Sequence, residues 1–130
     1  MIFYKPYLDR QDIYTMFPHA DLTGEKTVCA YVALEDDAIL GKCLVEVTGY
    51  TCTISELVQT GADKLVTEGL VRAALNFAAN RGAYLASCSI VQIADVLKML
   101  GFSEENGVFR GEIPELLQGS CCKHSDTPGS

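Results

Sequence analysis

The stretch 51–81, TCTISELVQTGADKLVTEGLVRAALNFAANR, constrains the chain more than any other. Cys52, Ile54 and Val58 alternate with Thr53, Ser55 and Gln59 at the period of a pleated strand, in a run rich in β-branched residues. Past the breaker Thr60-Gly61, the apolar residues Leu65, Val66, Leu70, Ala73, Ala74, Phe77 and Ala78 recur at helical spacing, and Gly82 follows as a terminating glycine. A strand that runs straight into a helix leaves a row of unpaired backbone N–H groups at the helix start, and such a row can hold phosphate. The rest of the chain must fold around this strand–loop–helix unit.

On either side the same two periods continue. Residues 2–8 read as a strand that Pro6 restricts to an edge or a strand end. Asp9 is placed to cap a short helix over 10–17, which Pro18 stops. Residues 27–34 and 38–47 read as a hairpin about the acidic turn Glu35-Asp36-Asp37. After the long helix, 83–87 is a short apolar run suited to a buried strand. A helix joins it to the strand 51–59, so the two are expected to be parallel, in a right-handed crossover. Ile90, Ile93, Ala94, Leu97 and Leu100 mark a second amphipathic helix ending at Gly101, and 102–113 a closing hairpin that turns at Glu105-Asn106-Gly107. The order predicts an α/β (α+β) domain with a mixed central β-sheet flanked by helices. The domain spans 1–118, with Glu115-Leu116-Leu117 its last run apolar enough to dock; 119–130 reads as a flexible polar tail carrying Cys121 and Cys122.

A net charge of −7 argues against nucleic acid and anionic membrane surfaces as partners. No stretch approaches the ~18 apolar residues of a membrane span. The first residues carry charges throughout, without the apolar run of a signal peptide, so a cytoplasmic location is expected. Of the six cysteines, Cys29, Cys43, Cys52 and Cys88 fall inside apolar strand patterns, where a free thiol behaves as a small buried hydrophobe.

Three segments carry a family likeness: VALEDDAILGKCLVEV (32–47), LVRAALNFAANRGAYLASC (70–88) and IADVLKMLGFSEENGVF (93–109). In this order they resemble the GNAT superfamily of acyl-CoA-dependent N-acyltransferases, over 27–113. The resemblance implies acetyl-CoA as acyl donor and a small-molecule or protein amine as acceptor. In that family the loop between central strand and helix usually reads Arg/Gln-x-x-Gly-x-Gly/Ala, its glycines letting backbone N–H groups close on the diphosphate. An ungapped match back from Arg72 puts Ala62-Asp63-Lys64-Leu65-Val66-Thr67 there; a slide to Lys64-Leu65-Val66-Thr67-Glu68-Gly69 moves Arg72 onto a core-facing position. The implied donor-binding positions are Leu57, Val58 and Gln59 on the strand, and Asp63, Lys64, Leu65, Val66 and Thr67 at the helix start. Neither family glycine is present in this match, and Asp63 brings negative charge to the phosphate position. The tyrosine that the family often places four residues before the glycine of Leu-Gly-Phe is Leu97 here, and Ile90 or its neighbours stand where an asparagine is usual.

Among residues that could carry chemistry, Glu56 is the catalytic candidate. By alternation it shares a face with Cys52, Ile54 and Val58, where its charge is poorly solvated, and a carboxylate so placed suits a general base that takes a proton from an amine. Some members of the superfamily place a base glutamate on this strand. The alternative is a structural glutamate that pairs with a Lys or Arg or reaches solvent at the strand end. The resemblance puts Cys88 near the acyl group, where a thiol could donate a proton or accept an acyl group. No histidine beside it is visible, and it reads better as a core cysteine. Tyr84 carries a hydroxyl on the same strand and reads equally as packing. Cys121-Cys122-Lys123-His124 could contribute to a soft metal site, although adjacent cysteines are not a structural zinc spacing. Two functions therefore stand side by side: an N-acetyltransferase, and a non-catalytic binding or regulatory module on the same fold. Oligomeric state stays open, a homodimer included.

Overall fold

A computed structural model of the chain describes residues 1–61 and 63–118. Its strands are β1 (Ile2–Tyr7), β2 (Thr27–Glu35), β3 (Ala38–Thr48), β4 (Thr51–Gln59), β5 (Leu85–Cys88), β6 (Ser103–Glu105) and β7 (Val108–Glu112); its helices are α1 (Arg10–Met16), α2 (Lys64–Asn80) and α3 (Ala94–Leu100). The strands form one sheet in the order β1-β2-β3-β4-β5-β7-β6. β4 and β5 run parallel, as the helical crossover between them demands, and every other pair is antiparallel. The expected mixed sheet flanked by helices is the observed one.

Local chemistry sets most boundaries. Asp9 accepts a hydrogen bond from the Gln11 N–H at 2.8 Å and so caps α1. Pro6 lies on the edge strand β1, opposite Tyr31. The closing hairpin turns at Asn106 and Gly107, both with positive φ (55° and 82°), the conformation that Asn-Gly tolerates best. Two boundaries differ from expectation. The β5 ladder begins at Leu85 and not at Ala83, because the N–H groups of Tyr84 and Leu85 both first reach the carbonyl of Tyr50, at 2.7 and 3.0 Å. The second amphipathic helix opens as a 3-10 turn over Val91–Ile93 before α3, with no side-chain cap at Ile90. Beyond β7, residues 113–118 form a final helical turn that seats Leu116 in the core.

The two faces of the sheet are covered unequally. On one face α2 and α3 lay Val66, Leu70, Val71, Ala74, Leu75, Ala78, Val96 and Leu100 over Cys29, Cys43, Val45, Cys52, Ile54 and Cys88. On the other, α1 contributes Ile13 and Phe17 to a smaller cluster with Ala30 and Leu44. Leu65, counted above in the apolar stripe of α2, is 67% exposed, because the buried stripe runs one residue further on. No described helix is long and apolar enough to cross a membrane.

All four sheet cysteines are free and buried. Burial pushes the Cys29 thiol up to about 11 and that of Cys52 up to about 12, and raises Cys43 and Cys88 as well. No cluster of metal-ligating side chains occurs among the described residues, and the candidate tail cluster at 121–124 lies outside them.

Glycine 69 sits inside α2, where it costs about 1 kcal/mol against alanine in intrinsic propensity. The reason is Tyr4 of β1: a Cβ on Gly69 would fall within the space of the tyrosine ring and hydroxyl. The hydroxyl also reaches the Leu65 carbonyl at 3.5 Å, so β1 clasps the first turns of α2. Gly69→Ala should therefore destabilise the protein by about 1–3 kcal/mol despite the better helix former, as overpacking does. Urea denaturation checks this, and adding Tyr4→Ala should recover much of the loss in a double-mutant cycle. The raised thiols carry a second expectation. A folded state that keeps protons which the unfolded chain releases above pH 9 loses stability as pH rises from there through the folded values. The urea midpoint should fall more steeply between about pH 9 and about pH 11 in the native sequence than in a Cys29→Ala/Cys52→Ala variant.

Candidate functional site

The sheet opens between β4 and β5. They pair only over Thr51–Ile54 and Leu85–Cys88. At Ser55 β4 carries a bulge: Val45 of β3 faces Ile54 while Leu44 faces Glu56, leaving Ser55 as the extra residue. Past it, β4 keeps β3 on one side, while β5 stops at Cys88 and the chain turns into Val91–Ile93. The result is a cleft at the carboxyl ends of the only parallel strand pair among the described residues, the position where open sheets with helical crossovers commonly bind ligands. Two hollows fill it. One, about 320 Å³, is lined by Leu57, Gln59, Lys64, Thr67, Gln92 and Asp95 among others. Its neighbour, about 440 Å³, is lined by Glu56, Leu57, Val58, Gln59, Ile90 and Gln92.

The bulge also re-aims every side chain after it. With two residues of β4 set against one of β3, Leu57 and Gln59 join Cys52 and Ile54 on the α2 face, opposite Cys43 and Gly41. Glu56 and Val58 turn to the other face, opposite Leu44 and Lys42. The expectation that Glu56 shares a face with Cys52 and Ile54 is corrected accordingly: only Val58 remains beside it. Glu56 is half-buried at the rim of the larger hollow and makes no ion pair among the described residues.

At the start of α2 the chain satisfies itself. Asp63 is the N-cap, its carboxylate accepting from the Leu65 N–H at 2.9 Å, while its carbonyl accepts from the Val66 N–H at 3.1 Å. The Gln59 amide donates to that same carbonyl at 2.6 Å, and Thr67, buried beneath the helix end, donates its hydroxyl proton to Gln59 Oε1. Lys64 reaches across the cleft to Asp95 of α3 at 2.9 Å, and this bond holds the Asp95 carboxyl below its ordinary value. Of the positions that the family resemblance marks for donor binding, Leu57, Val58, Gln59, Lys64 and Thr67 line the cleft, Asp63 closes the helix end, Leu65 points to solvent and Val66 is packed in the core.

Other candidates lie elsewhere. Cys88 is buried beneath α2 and α3. Tyr84 stands before the far end of β5 and donates to Glu112 at 3.0 Å, which raises its phenol above the usual range. Leu97, in the place of the family tyrosine, is fully buried. Gln92 and Asp95 were not singled out by sequence; the available signal was their position just after the strand that parallels β4.

No protein-family model and no curated protein sequence matches the chain. Its backbone nevertheless superposes on several solved structures. A protein from Desulfovibrio desulfuricans assigned to the GNAT acetyltransferase family gives a TM-score of 0.66 at 13% identity, over 87% of this chain and 99% of that one. The IAA acetyltransferase of Bacillus cereus gives 0.62 at 15% identity, over 86% and 99%. A GNAT family acetyltransferase from Elizabethkingia anophelis with acetyl-CoA bound gives 0.59 at 13%, over 85% and 97%. At such identities the likeness establishes the fold and nothing finer.

The Lys64–Asp95 bridge gives a direct check on the cleft mouth. Because the Asp95 value is lowered, the bridge should persist through neutral pH and open only as pH falls below the ordinary aspartate value of 3.8. Carboxyl-carbon NMR titration should put the Asp95 midpoint below that value, and Lys64→Met should return it upward.

Proposed function

We propose, from the GNAT fold that this chain has, that it is an N-acyltransferase moving an acyl group from an acyl-CoA-type thioester, acetyl-CoA in the simplest case, to an amine. The observation that carries this reading is the parting of β4 from β5 at the Ser55 bulge. It leaves the β5 side of residues 56–59 without a strand partner among the described residues, and backbone N–H groups on that side would polarise a thioester carbonyl. Leu57 and Ile90 supply apolar wall, while Gln59 and Gln92 supply amides. The same bulge turns Glu56 to the opposite face, so thioester and amine would approach the reacting carbon from different sides of β4.

In the reaction the amine nitrogen attacks the thioester carbonyl carbon, the C–N bond forms, the C–S bond breaks and the sulfur leaves. Glu56 would accept the proton lost by the amine, directly or through a water. The acceptor is a small-molecule or protein amine. A second reading has its own support: Leu97 is buried where the family often has a tyrosine acid, and the start of α2 is internally satisfied. Both fit a binding or regulatory module that keeps the fold without turnover.

An amine-acceptor screen with acetyl-CoA, read by thiol release, separates the two. The acyltransferase reading expects turnover with some amine, and Glu56→Gln should lower kcat/KM by about 10²–10⁴-fold while donor affinity changes little. Unchanged turnover in Glu56→Gln would remove Glu56 as the base. Donor binding without turnover on any amine would favour the module.

A further inference from the structure

The GNAT fold implies a diphosphate at the start of α2, and the residues present do not fit one. An anion there needs free backbone N–H groups, local positive charge and close backbone approach. The Leu65 N–H is spent on the Asp63 carboxylate at 2.9 Å and the Val66 N–H on the Asp63 carbonyl at 3.1 Å. Lys64, the cation of this first turn, is bonded to Asp95. Of the polar side chains on the cleft wall beneath, Gln59 donates its amide to the Asp63 carbonyl and accepts the Thr67 hydroxyl at its Oε1. A carboxylate already occupies the positive end of the helix, and an incoming diphosphate would meet the like charge of Asp63, with the Lys64 cation already compensated by Asp95. The deeper cleft is different: its wall is Leu57, Ile90, Ile93 and Val96, edged by the unpaired flank of β4 and the Gln92 amide. That surface suits a thin chain of methylenes and amides.

We infer that this site recognises its donor through the pantetheine arm and the thioester, and leaves the diphosphate outside, so that its substrate class is acyl-pantetheine thioesters and not CoA thioesters in particular. The inference deepens the acyltransferase reading and rests on it. Asp63 is the specificity determinant: it caps the helix and excludes the anion with one side chain. Asn also caps well, so Asp63→Asn keeps the helix end while removing the charge.

Calorimetric titration of the reduced full-length protein tests this with three probes: acetyl-CoA, S-acetylpantetheine and adenosine 3′,5′-diphosphate. The expected result is acetylpantetheine binding within about threefold of acetyl-CoA, with no heat from the adenosine diphosphate. In Asp63→Asn, acetyl-CoA should tighten by about fivefold or more while acetylpantetheine stays unchanged. Acetyl-CoA binding more than about tenfold tighter than acetylpantetheine to the native sequence would overturn the inference and leave the acyltransferase reading standing. An Asp63→Asn variant with unaltered preference would also overturn it. Absence of binding by either thioester would remove the donor cleft itself, and with it both this inference and the acyltransferase reading.

Discussion

Ser55 faces no residue of β3, and the geometry of the cleft follows from that unmatched position. Its hydroxyl donates to the Leu44 carbonyl at 3.3 Å, tying the extra residue back to the neighbouring strand. An inserted residue reverses the side-chain phase of a strand and sharpens its twist. Here the reversal sends Leu57 and Gln59 under α2 and Glu56 to the far face, while β4 loses contact with β5. Without it Glu56 would lie under the helices, and Leu57 would stand on the other side of the sheet. The cleft, its apolar wall and its carboxylate rim thus trace to a single extra backbone unit.

The position of α2 relative to that cleft is set by close approach on two sides. Gly41 of β3 brings the sheet so near the helix that a Cβ there would sit 3.2 Å from Leu70 and 3.3 Å from Val66. Gly69 admits Tyr4 from β1. Between these contacts the first turns of α2 have little room to shift, so the groups at the helix end are held where the strand end meets them. Gln59 can then bridge strand and helix with one amide, and Asp63 can close the N-terminus unaided.

Most of the fold was legible because each element announces its own period. The alternation in 27–47, the helical stripe of α2 and the Asn106-Gly107 turn are strong local signals, and the helix between β4 and β5 forces the parallel pair. The site was legible only in part. Leu57, Gln59, Lys64 and Thr67 came from the family likeness and do line the cleft. The face assigned to Glu56 failed because alternation assumes an unbroken pleat, and the bulge at Ser55 carries no glycine or proline to mark it. Gln92 and Asp95 escaped notice because they meet β4 only through the topology, on a short 3-10 turn and helix whose own pattern is unremarkable. The bonds that close the α2 terminus are likewise products of assembly: Asp63 is a readable cap, but its partnership with Gln59 depends on where two elements end.

The outer strands of the sheet have a consequence of another kind. Among the described residues the seven-stranded sheet ends in two outer strands, and exposed sheet edges are where proteins polymerise. At one flank β1 carries Pro6, which has no N–H to give, with Lys5 beside it. At the other, β6 is only three residues long and exposed, and two of the three are glutamates. One border is missing a donor and the other repels its own kind. Both devices work against edge-to-edge pairing at the described ends of a sheet broad enough to part in its middle.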